Sequence, residues 1–539
     1  MKNDTFEIGI CMAGAVSAGA YTAGVMDYLI EALDKWQQEK DSGKENVPQH
    51  NVVIKVIGGA SAGGMTGIIT ASAINNPISP IRELPADIMS QQPKNKLYHS
   101  WVDLTNDDMF PVLLRNDDIE EGKVHSLLNS NFIDEISTRA LLVDGGQWIQ
   151  RPYFDNNLKF FTTLTNLEGL KYDTKYNTGQ TFDHYLVSRH NDYGTFVLNK
   201  SQNQYDDDGW IPVDFQNDIN VNIARDSAMA TGAFPAGLKS RKVVRNKKYL
   251  NDMALHKDIT LTNPVADNPY KALIVDGGTI NNEPFMKVKS LLNNVDNDFD
   301  KFGSTVLMID PFPSEAEKFD IENDGLLDIV GGTLAAMLGH LRTKPEVLEE
   351  TLMGDSASQF MIAPRRKIDG VMTEGSKAIA CGFLGGFGGF LHKEFRIHDY
   401  FLGRANCEKF LRNHFVVPID NTNPIFKDGY KNIDSDKFVS FDKEFRQIIP
   451  VFEAEKQKMY MPPFENGSDW PTRTHLDVDR FNKLLKKRAG KVVMNLAKLG
   501  WKDKIKLGLG SFFIIKGKIA KTAIDTIKKA MIAHKLLVK

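Results

Sequence analysis

The short segment around Ser61 contains a candidate nucleophile. Ser61 lies between Gly59 and Gly63 in the pattern Gly-x-Ser-x-Gly. In hydrolases this pattern forms a sharp turn from a strand into a helix, which raises the serine hydroxyl above the end of the sheet. The glycines are needed because a Cβ at either position would clash with the neighbouring strand or helix. The predicted chemistry is attack of Ser61 on an acyl carbonyl, and the alternative is an ordinary loop of small residues.

A serine nucleophile also needs a site that stabilises the developing oxyanion. Gly14, Ala15 and Val16 follow the first predicted strand in a glycine- and alanine-rich loop. If the first two strands are parallel neighbours, the backbone N–H groups of this loop lie beside Ser61. A phosphate-binding loop is the alternative, but the chain has neither Gly-x-x-x-x-Gly-Lys-Ser/Thr nor Gly-x-Gly-x-x-Gly. We therefore predict the oxyanion hole at Gly14, Ala15 and Val16.

Asp276 is the candidate general base. It follows the apolar run 272–275 and precedes Gly277 and Gly278, which leave room beside the carboxylate. Strands of a parallel sheet end at one edge, where ligands bind, so Asp276 is expected near Ser61. The alternative is an aspartate that caps a turn, because Asp-Gly is a common turn dipeptide.

The elements that must position these residues follow from hydrophobic patterning. A β-branched run at 52–56 is typical of a buried strand, and the mostly apolar segment 65–74 is typical of a helix. Further strands are predicted at 6–11, 158–165, 272–275 and 304–310. Strands that alternate with helices predict an α/β fold with a mainly parallel sheet.

Together these motifs resemble the patatin-like phospholipase family. That family has an oxyanion loop leading into Gly-x-Tyr-x-x-Gly, found here at 19–24, then Gly-x-Ser-x-Gly, then Asp-Gly-Gly followed by Asn and Pro, found here at 276–284. A small-residue segment at 224–235 also fits, and the order and spacing agree over about residues 6–312. The resemblance implies a three-layer core and a dyad of Ser61 and Asp276 that cleaves acyl esters of phospholipids and related lipids, without a cofactor or a catalytic metal.

The oxyanion loop departs from the family pattern. Many members have three glycines followed by Arg or Lys where this chain has Gly14, Ala15, Val16 and Ala18. Backbone donors survive a change of side chain, but a β-branched residue such as Val16 disfavours positive φ. A non-catalytic lipid-binding regulatory module therefore stays open as an alternative function.

A histidine base is the other open alternative. Many hydrolases order their triad as Ser, acid and then His, and six histidines follow Asp276, among them His398. Such a base is typical of an acyltransferase or a thioesterase that uses the same serine turn.

Composition predicts a reduced, cytoplasmic protein. Cys11, Cys381 and Cys407 are too few for a disulfide framework, and they form no Cys-x-x-Cys pair of the kind found in zinc sites. Acidic residues near the N-terminus offset its lysine, which disfavours a signal peptide. No apolar run reaches the roughly 18 residues of a membrane span. We expect a cytoplasmic location with peripheral contact at the inner face of the membrane.

The chain divides into two predicted regions, a patatin-like core at 1–365 and a mostly helical C-terminal region at 366–539. Residues 481–539 contain 16 Lys and Arg but only two Asp, a net charge of +14, whereas the first 480 residues carry −17. Five apolar residues share one face at helical spacing. They are Ala520, Ile524, Ile527, Met531 and Val538.

This basic pattern predicts that the tail, residues 511–539, forms a helix drawn to an anionic membrane. The alternative is a helix docked on the acidic body of the protein, with its lysines in solvent. Nucleic acid is not expected as a partner, because aromatic residues are nearly missing among these lysines. The sequence predicts no particular oligomeric state.

Overall fold

A computed structural model describes most of the chain. It covers residues 5–84, 94–103, 108–143, 148–177, 182–198, 209–251, 268–313, 359–368, 370–434, 436–452, 459–496 and 509–538.

Nine of the strands in this described part form one central sheet in the order β5-β4-β3-β2-β1-β8-β9, with β7 joined to β3 and β6 joined to β7. The strands of the central sheet are β1 (Thr5–Met12), β2 (Asn51–Gly59), β3 (Phe154–Asn177), β4 (Phe182–Leu198), β5 (Ile211–Val213), β6 (Arg241–Arg245), β7 (Tyr270–Asp276), β8 (Ser304–Ile309) and β9 (Gln359–Ile362). The remaining strands of the described part form two-stranded sheets and are β10 (Arg365–Ile368), β11 (Val371–Glu374), β12 (Val416–Pro418), β13 (Phe445–Gln447), β14 (Arg473–Thr474) and β15 (Leu537–Val538). From β3 through β2, β1 and β8 to β9, every neighbouring pair is parallel. The predicted α/β fold with a mainly parallel sheet is confirmed.

Helices flank the sheet and continue through the C-terminal region. They are α1 (Gly19–Asp41), α2 (Ser61–Ala73), α3 (Lys96–Trp101), α4 (Met109–Leu113), α5 (Asn131–Leu141), α6 (Val221–Thr231), α7 (Lys248–Asn251), α8 (Phe285–Lys289), α9 (Lys393–Asn413), α10 (Pro424–Gly429), α11 (His475–Asp479), α12 (Asn482–Leu496) and α13 (Leu509–Ala533). Short 3₁₀ helices occur at Val16–Ala18, Gly277–Thr279, Gly375–Lys377 and Leu384–Phe390.

Successive residues of the central strands enter two different cores. In β1, Ile10 and Met12 pack into one apolar cluster, whereas Cys11 packs into the other. In β8, Leu307 belongs to the first cluster and Met308 to the second. Because successive side chains of a strand point to opposite faces, the sheet carries a buried core on each face. This arrangement explains why the central strands are almost continuously apolar in sequence.

The C-terminal region packs closely on the core through two glycines. A Cβ at Gly24 of α1 would lie 1.9 Å from the carbonyl oxygen of Tyr400, and one at Gly403 of α9 would lie 2.2 Å from that of Tyr21. The backbones of α1 and α9 can therefore touch only because neither position has a side chain. The division of the chain at residue 365 stays a prediction.

A buried ion-pair network lies beside this crossing. Arg404 of α9 is 2% exposed and binds the carboxylates of Asp27 and Glu31, both in α1. Asn95 Nδ2 also donates to Asp27 Oδ1 at 2.8 Å. Removing one partner of such a pair leaves a buried charge without compensation, which typically costs several kcal/mol.

The basic tail places its predicted apolar face against the protein. Ala520, Ile524, Ile527 and Met531 are all buried in α13, and Lys528 Nζ pairs with Asp479 Oδ1 at 2.7 Å. Val538 lies instead in β15 and is 45% exposed. These four residues fit the docked helix that was the alternative prediction. Within the described residues, we find no helix with the length and apolar character needed to cross a bilayer.

His50 connects the two regions and is buried in its neutral form. It is 1% exposed, packs against Trp36, Phe426 and Tyr430, and its Nε2 lies 2.8 Å from the Ile448 carbonyl oxygen. Burial lowers the pKa of His50 to about 4. The folded state thus resists protonation that the unfolded chain accepts below pH 6.5.

We expect His50 to make the protein less stable as the pH falls. The stabilising effect of the depressed pKa is complete above pH 6.5 and is lost toward pH 4, by about 2 kcal/mol between pH 7 and pH 5. His50→Gln keeps an N–H donor but does not titrate. Urea unfolding of both proteins from pH 5 to 8 measures the difference, and a difference that does not change with pH contradicts this expectation.

Candidate active site

Close backbone contacts at Gly59 and Gly63 hold the turn at Ser61, and they leave no room for a side chain at either glycine. Ser61 has a φ of 49°, and α2 begins at this residue directly after β2. A Cβ at Gly59 would lie 2.6 Å from the backbone carbon of Gly63, and one at Gly63 would lie 2.3 Å from the Met12 carbonyl oxygen of β1. Positive φ costs a serine about 1–3 kcal/mol, so the surrounding backbone must enforce it.

Ser61 and Asp276 are in direct contact. Ser61 Oγ donates to Asp276 Oδ2 at 2.7 Å, and the two residues are only 6% and 3% exposed. The side chains lie 215 positions apart in the chain, yet the structure brings them within proton-transfer distance. This geometry matches that of a nucleophile and an adjacent general base.

Asp276 reaches the site from an unexpected direction. We expected it at the end of a strand parallel to β2, but β7 runs antiparallel to β3, and Asp276 pairs there with Leu164. The structural reason is that β2 ends at Gly59, opposite Thr162, and β7 pairs with the next residues of β3, Leu164–Asn166, on the edge that β2 leaves free. β3 also does not end at 165 as predicted but continues to Asn177, paired with β4.

Hydrogen bonds with neighbouring residues hold Asp276 in place besides the one from Ser61. Gly278 N donates to Oδ1 at 2.7 Å, which leaves Oδ2 for the serine. Thr165 Oγ1 donates to the Asp276 carbonyl at 2.8 Å, and the Asp276 N–H donates to the Ala233 carbonyl at 3.0 Å. The β3 pairing supplies the remainder of its backbone contacts. The carboxylate therefore has a fixed orientation before any substrate binds.

The two glycines after Asp276 are tightly enclosed. A Cβ at Gly277 would lie 2.0 Å from the Thr163 carbonyl oxygen, and one at Gly278 would lie 2.6 Å from Asn282 Oδ1. The sequence suggested only that they leave room for the carboxylate. They also let the turn lie against β3 and against the segment that carries Asn282.

The predicted oxyanion loop lies beside the serine. A Cβ at Gly14 would lie 3.0 Å from Ser61 Cβ, and the Gly14 N–H donates to the Asn282 carbonyl at 3.3 Å. Val16 has a φ of 48° although its side chain disfavours that conformation. The loop is therefore in contact with the nucleophile, and Val16 is held in a strained backbone conformation. Gly14, Ala15 and Val16 stay a prediction as oxyanion donors.

An apolar pocket of about 90 Å³ opens at Ser61 and Asp276. Its walls include Met65 and Ile69 of α2, and Phe132 and Ile136 of α5. Among the lining residues in the described part of the chain, none is a histidine. A mostly apolar pocket in which the Ser61 hydroxyl lies beside a carboxylate suits a hydrocarbon chain whose carbonyl meets the serine.

Sequence analysis missed Thr231. Its Oγ1 accepts a hydrogen bond from the Ser61 N–H at 2.8 Å, so it fixes the backbone of the nucleophile. Thr231 falls in the small-residue segment 224–235, whose presence was noted without a role for its members. The only available signal was that a threonine ends a helix otherwise rich in alanine.

His398, the candidate rival base, is committed elsewhere. It is fully buried in α9, and its Nδ1 lies 2.7 Å from Asp399 Oδ1. Its ring meets Trp470 edge-on, and burial lowers its pKa. Because His398 does not line the pocket, this geometry gives it no route to Ser61.

Two other titratable groups lie at the same edge of the sheet. Burial raises the pKa of the Cys11 thiol, so Cys11 is not a competing nucleophile at neutral pH. Burial also raises the pKa of Asp310 to about 6, against the opposing hydrogen bond from Phe312 N. Among the residues that the structure describes, no group of three His, Cys, Asp or Glu side chains is placed to hold a metal ion.

Comparisons with known proteins agree with these features. Residues 10–288 match the family described as patatin-like phospholipase. The uncharacterized protein y4iI of Sinorhizobium fredii is 30% identical over 582 aligned positions, which cover 95% of this chain and 79% of that protein. The crystal structure of VipD from Legionella pneumophila aligns with 98% of this chain and 88% of its own, but at 11% identity and a TM-score of 0.21 the likeness carries no argument.

We expect Gly63→Ala to destabilise the protein by at least about 2 kcal/mol, because its Cβ would overlap the Met12 carbonyl oxygen. Gly517→Ala is the matched control, since a Cβ at Gly517 in α13 meets nothing within 4 Å. That change should leave stability equal or up to about 1 kcal/mol higher through helix propensity. Thermal unfolding compares the two variants, and equal midpoints would show that the Ser61 turn is not sterically constrained.

Proposed function

Because the chain belongs to the patatin-like phospholipase family, we propose that it hydrolyses acyl esters of membrane lipids with a dyad of Ser61 and Asp276. The observation that carries this proposal is the 2.7 Å hydrogen bond from Ser61 Oγ to Asp276 Oδ2 inside an apolar pocket. A hydroxyl that attacks a carbonyl must lose its proton, and the carboxylate that receives it is already in contact.

The first half of the reaction transfers the acyl group to the serine. Asp276 Oδ2 takes the Ser61 proton while Oγ bonds to the ester carbonyl carbon. The carbonyl oxygen becomes negative, and backbone N–H groups of the loop at Ala15 and Val16 stabilise it, because the Gly14 N–H already donates to the Asn282 carbonyl. The positive end of the α2 dipole at Ser61 favours the same charge. Collapse of the intermediate breaks the ester bond, and the departing alcohol oxygen takes the proton from Asp276.

The second half returns the enzyme to its resting state. Asp276 removes a proton from water, and the resulting hydroxide oxygen attacks the acyl carbon. Collapse of this second intermediate releases the fatty acid, and Ser61 Oγ recovers the proton from Asp276. The hydrogen bond from Gly278 N to Oδ1 keeps Oδ2 aimed at the serine through both halves.

The C-terminal region adds a surface suited to an anionic membrane. Several residues of α13 are exposed on the side opposite its buried apolar face. They are Ile514, Ile515, Lys518, Ile519, Lys521, Lys529 and Ile532, and the acidic Asp525 is exposed among them, so the charge of this side is +2. We call this set the basic isoleucine face. Interleaved isoleucines and lysines match an interface where acyl chains lie below anionic headgroups. It lies on a different side of the helix from the face that the sequence suggested.

We expect Ser61→Ala and Asp276→Asn each to abolish ester hydrolysis while the thermal unfolding midpoint stays within a few degrees. Asn at 276 still accepts from Gly278 N but cannot take the serine proton. The assay incubates purified protein with a defined phospholipid panel and measures released fatty acids by mass spectrometry. The control is Ser304→Ala, which changes a buried serine at the start of β8. Near-normal turnover in either dyad variant removes the dyad from the mechanism.

We expect the lysines of the basic isoleucine face to contribute binding to anionic vesicles. Replacing Lys518, Lys521 and Lys529 with Gln should weaken binding to phosphatidylserine-containing vesicles at least tenfold, since each basic residue near such a surface contributes about 1 kcal/mol. Binding to neutral vesicles should change little. Vesicle co-sedimentation measures both affinities.

The matched control replaces three exposed lysines in turns elsewhere in the chain. They are Lys44, Lys301 and Lys443. The two triple variants carry the same net charge, so only the position of the charge differs. Equal loss of binding in both variants contradicts a docking role for α13.

A further inference from the structure

We propose that Ser17 is a positioning residue through which the C-terminal region holds the oxyanion loop in its reactive conformation. This inference rests on the proposed function, because it concerns the rate of the acyl-transfer step. Its physical basis is a contact between Ser17 and the glycine-phenylalanine segment, which we define as Leu384–Phe390.

The Ser17 hydroxyl joins the two segments with two hydrogen bonds. Its Oγ donates to the Gly386 carbonyl and accepts from the Gly389 N–H at 2.9 Å. Ser17 is completely buried and directly follows Val16, which lines the pocket. The contact spans about 370 positions of sequence, so the C-terminal region reaches the residue next to the site.

The glycine-phenylalanine segment is shaped to lie against the loop. Gly385 and Gly386 have φ values of 61° and 91°, which side chains rarely adopt. A Cβ at Gly386 would lie 2.9 Å from the Ala15 carbonyl oxygen, and one at Gly389 would lie 2.6 Å from Ser17 Oγ. Glycine at both positions therefore permits the backbone of the segment to touch the backbone and hydroxyl of the loop.

Helix α9 fixes the segment from the other side. Just before the segment, the N–H groups of Ala380 and Cys381 donate to Asp399 at 2.7 and 2.9 Å. Arg396, completely buried, donates to the Gly389 carbonyl. Since α9 also packs on α1 through Gly24 and Gly403, the segment is tied to the core by rigid elements.

The segment also completes the pocket. Phe390 lines it together with Ser61, and the ring of Phe387 meets Phe234, another lining residue, edge-on at 5.5 Å. The C-terminal region thus supplies part of the wall that an acyl chain would touch, as well as the anchor for Ser17.

Val16 explains why the loop needs an anchor. Its φ of 48° is unfavourable for a β-branched residue, so the loop relaxes unless neighbouring contacts prevent it. Donors for an oxyanion must be placed before the reaction, because a displacement of about 1 Å costs roughly 100-fold in rate. The Ser17 side chain connects the oxyanion loop to the Gly386 carbonyl and the Gly389 N–H of the glycine-phenylalanine segment.

The test compares Ser17→Ala with Ser304→Ala. Ser304 is equally buried, lies at the first residue of β8, and its hydroxyl donates to the Asn293 carbonyl. Turnover of a soluble short-chain ester is expressed per active site, counted by titration with a fluorophosphonate. We expect kcat of Ser17→Ala to fall about 10- to 100-fold with KM within about threefold, and Ser304→Ala to keep both.

A second pair keeps the test decisive if Ser17→Ala folds poorly. Gly385→Ala and Gly386→Ala both place a methyl group at positive φ, but only the second meets the Ala15 carbonyl oxygen. We expect the larger loss of kcat per active site in Gly386→Ala. Equal kcat within each pair overturns the role of Ser17. A wild-type protein without esterase activity on any substrate of the panel instead overturns the proposed function, so the two failures are distinguishable.

Discussion

The hydrogen bond between Ser61 and Asp276 depends on backbone segments that approach each other more closely than side chains allow. Gly63 lies against the Met12 carbonyl, Gly277 against the Thr163 carbonyl, and Gly14 against Ser61 itself. Each contact restricts the backbone conformation of the turn that carries Ser61 or Asp276, or of the loop beside them. The 2.7 Å distance between Ser61 Oγ and Asp276 Oδ2 therefore depends on the backbone packing at this edge of the sheet as well as on the two side chains.

Local patterning predicted that Ser61 and Asp276 lie close together but not the strand arrangement that brings them into contact. The Ser61 turn has a short-range signal, because the glycines, the strand before it and the helix after it are contiguous. The motif at Asp276 predicted a position near Ser61, which the 2.7 Å contact shows, but the expected direction of β7 was wrong and the catalytic role of Asp276 stays a prediction. β7 pairs with Leu164–Asn166 of β3 just past the point where β2 ends, and local patterning does not predict such pairing between distant segments.

The features that sequence analysis missed share a physical cause. Thr231 and Ser17 act through hydroxyl contacts with backbone groups of distant residues, and a backbone partner has no identifying side chain. The tail shows a related limit, because helical periodicity identifies an apolar face but does not say what covers it. In α13 the cover is the protein itself, and the exposed isoleucines lie among lysines on another side.

The crossing of α1 and α9 has a consequence for how this protein can be divided. Gly24 and Gly403 bring two main chains together, and Arg404 places its charge against Asp27 and Glu31 at the same crossing. A fragment ending near residue 365 would remove Arg404 from Asp27, leave Glu31 with Arg82 alone, and uncover the backbone of α1 at Gly24. A chimera that joined this core to an unrelated C-terminal region would therefore need a glycine in the place of Gly403 and a buried arginine in the place of Arg404.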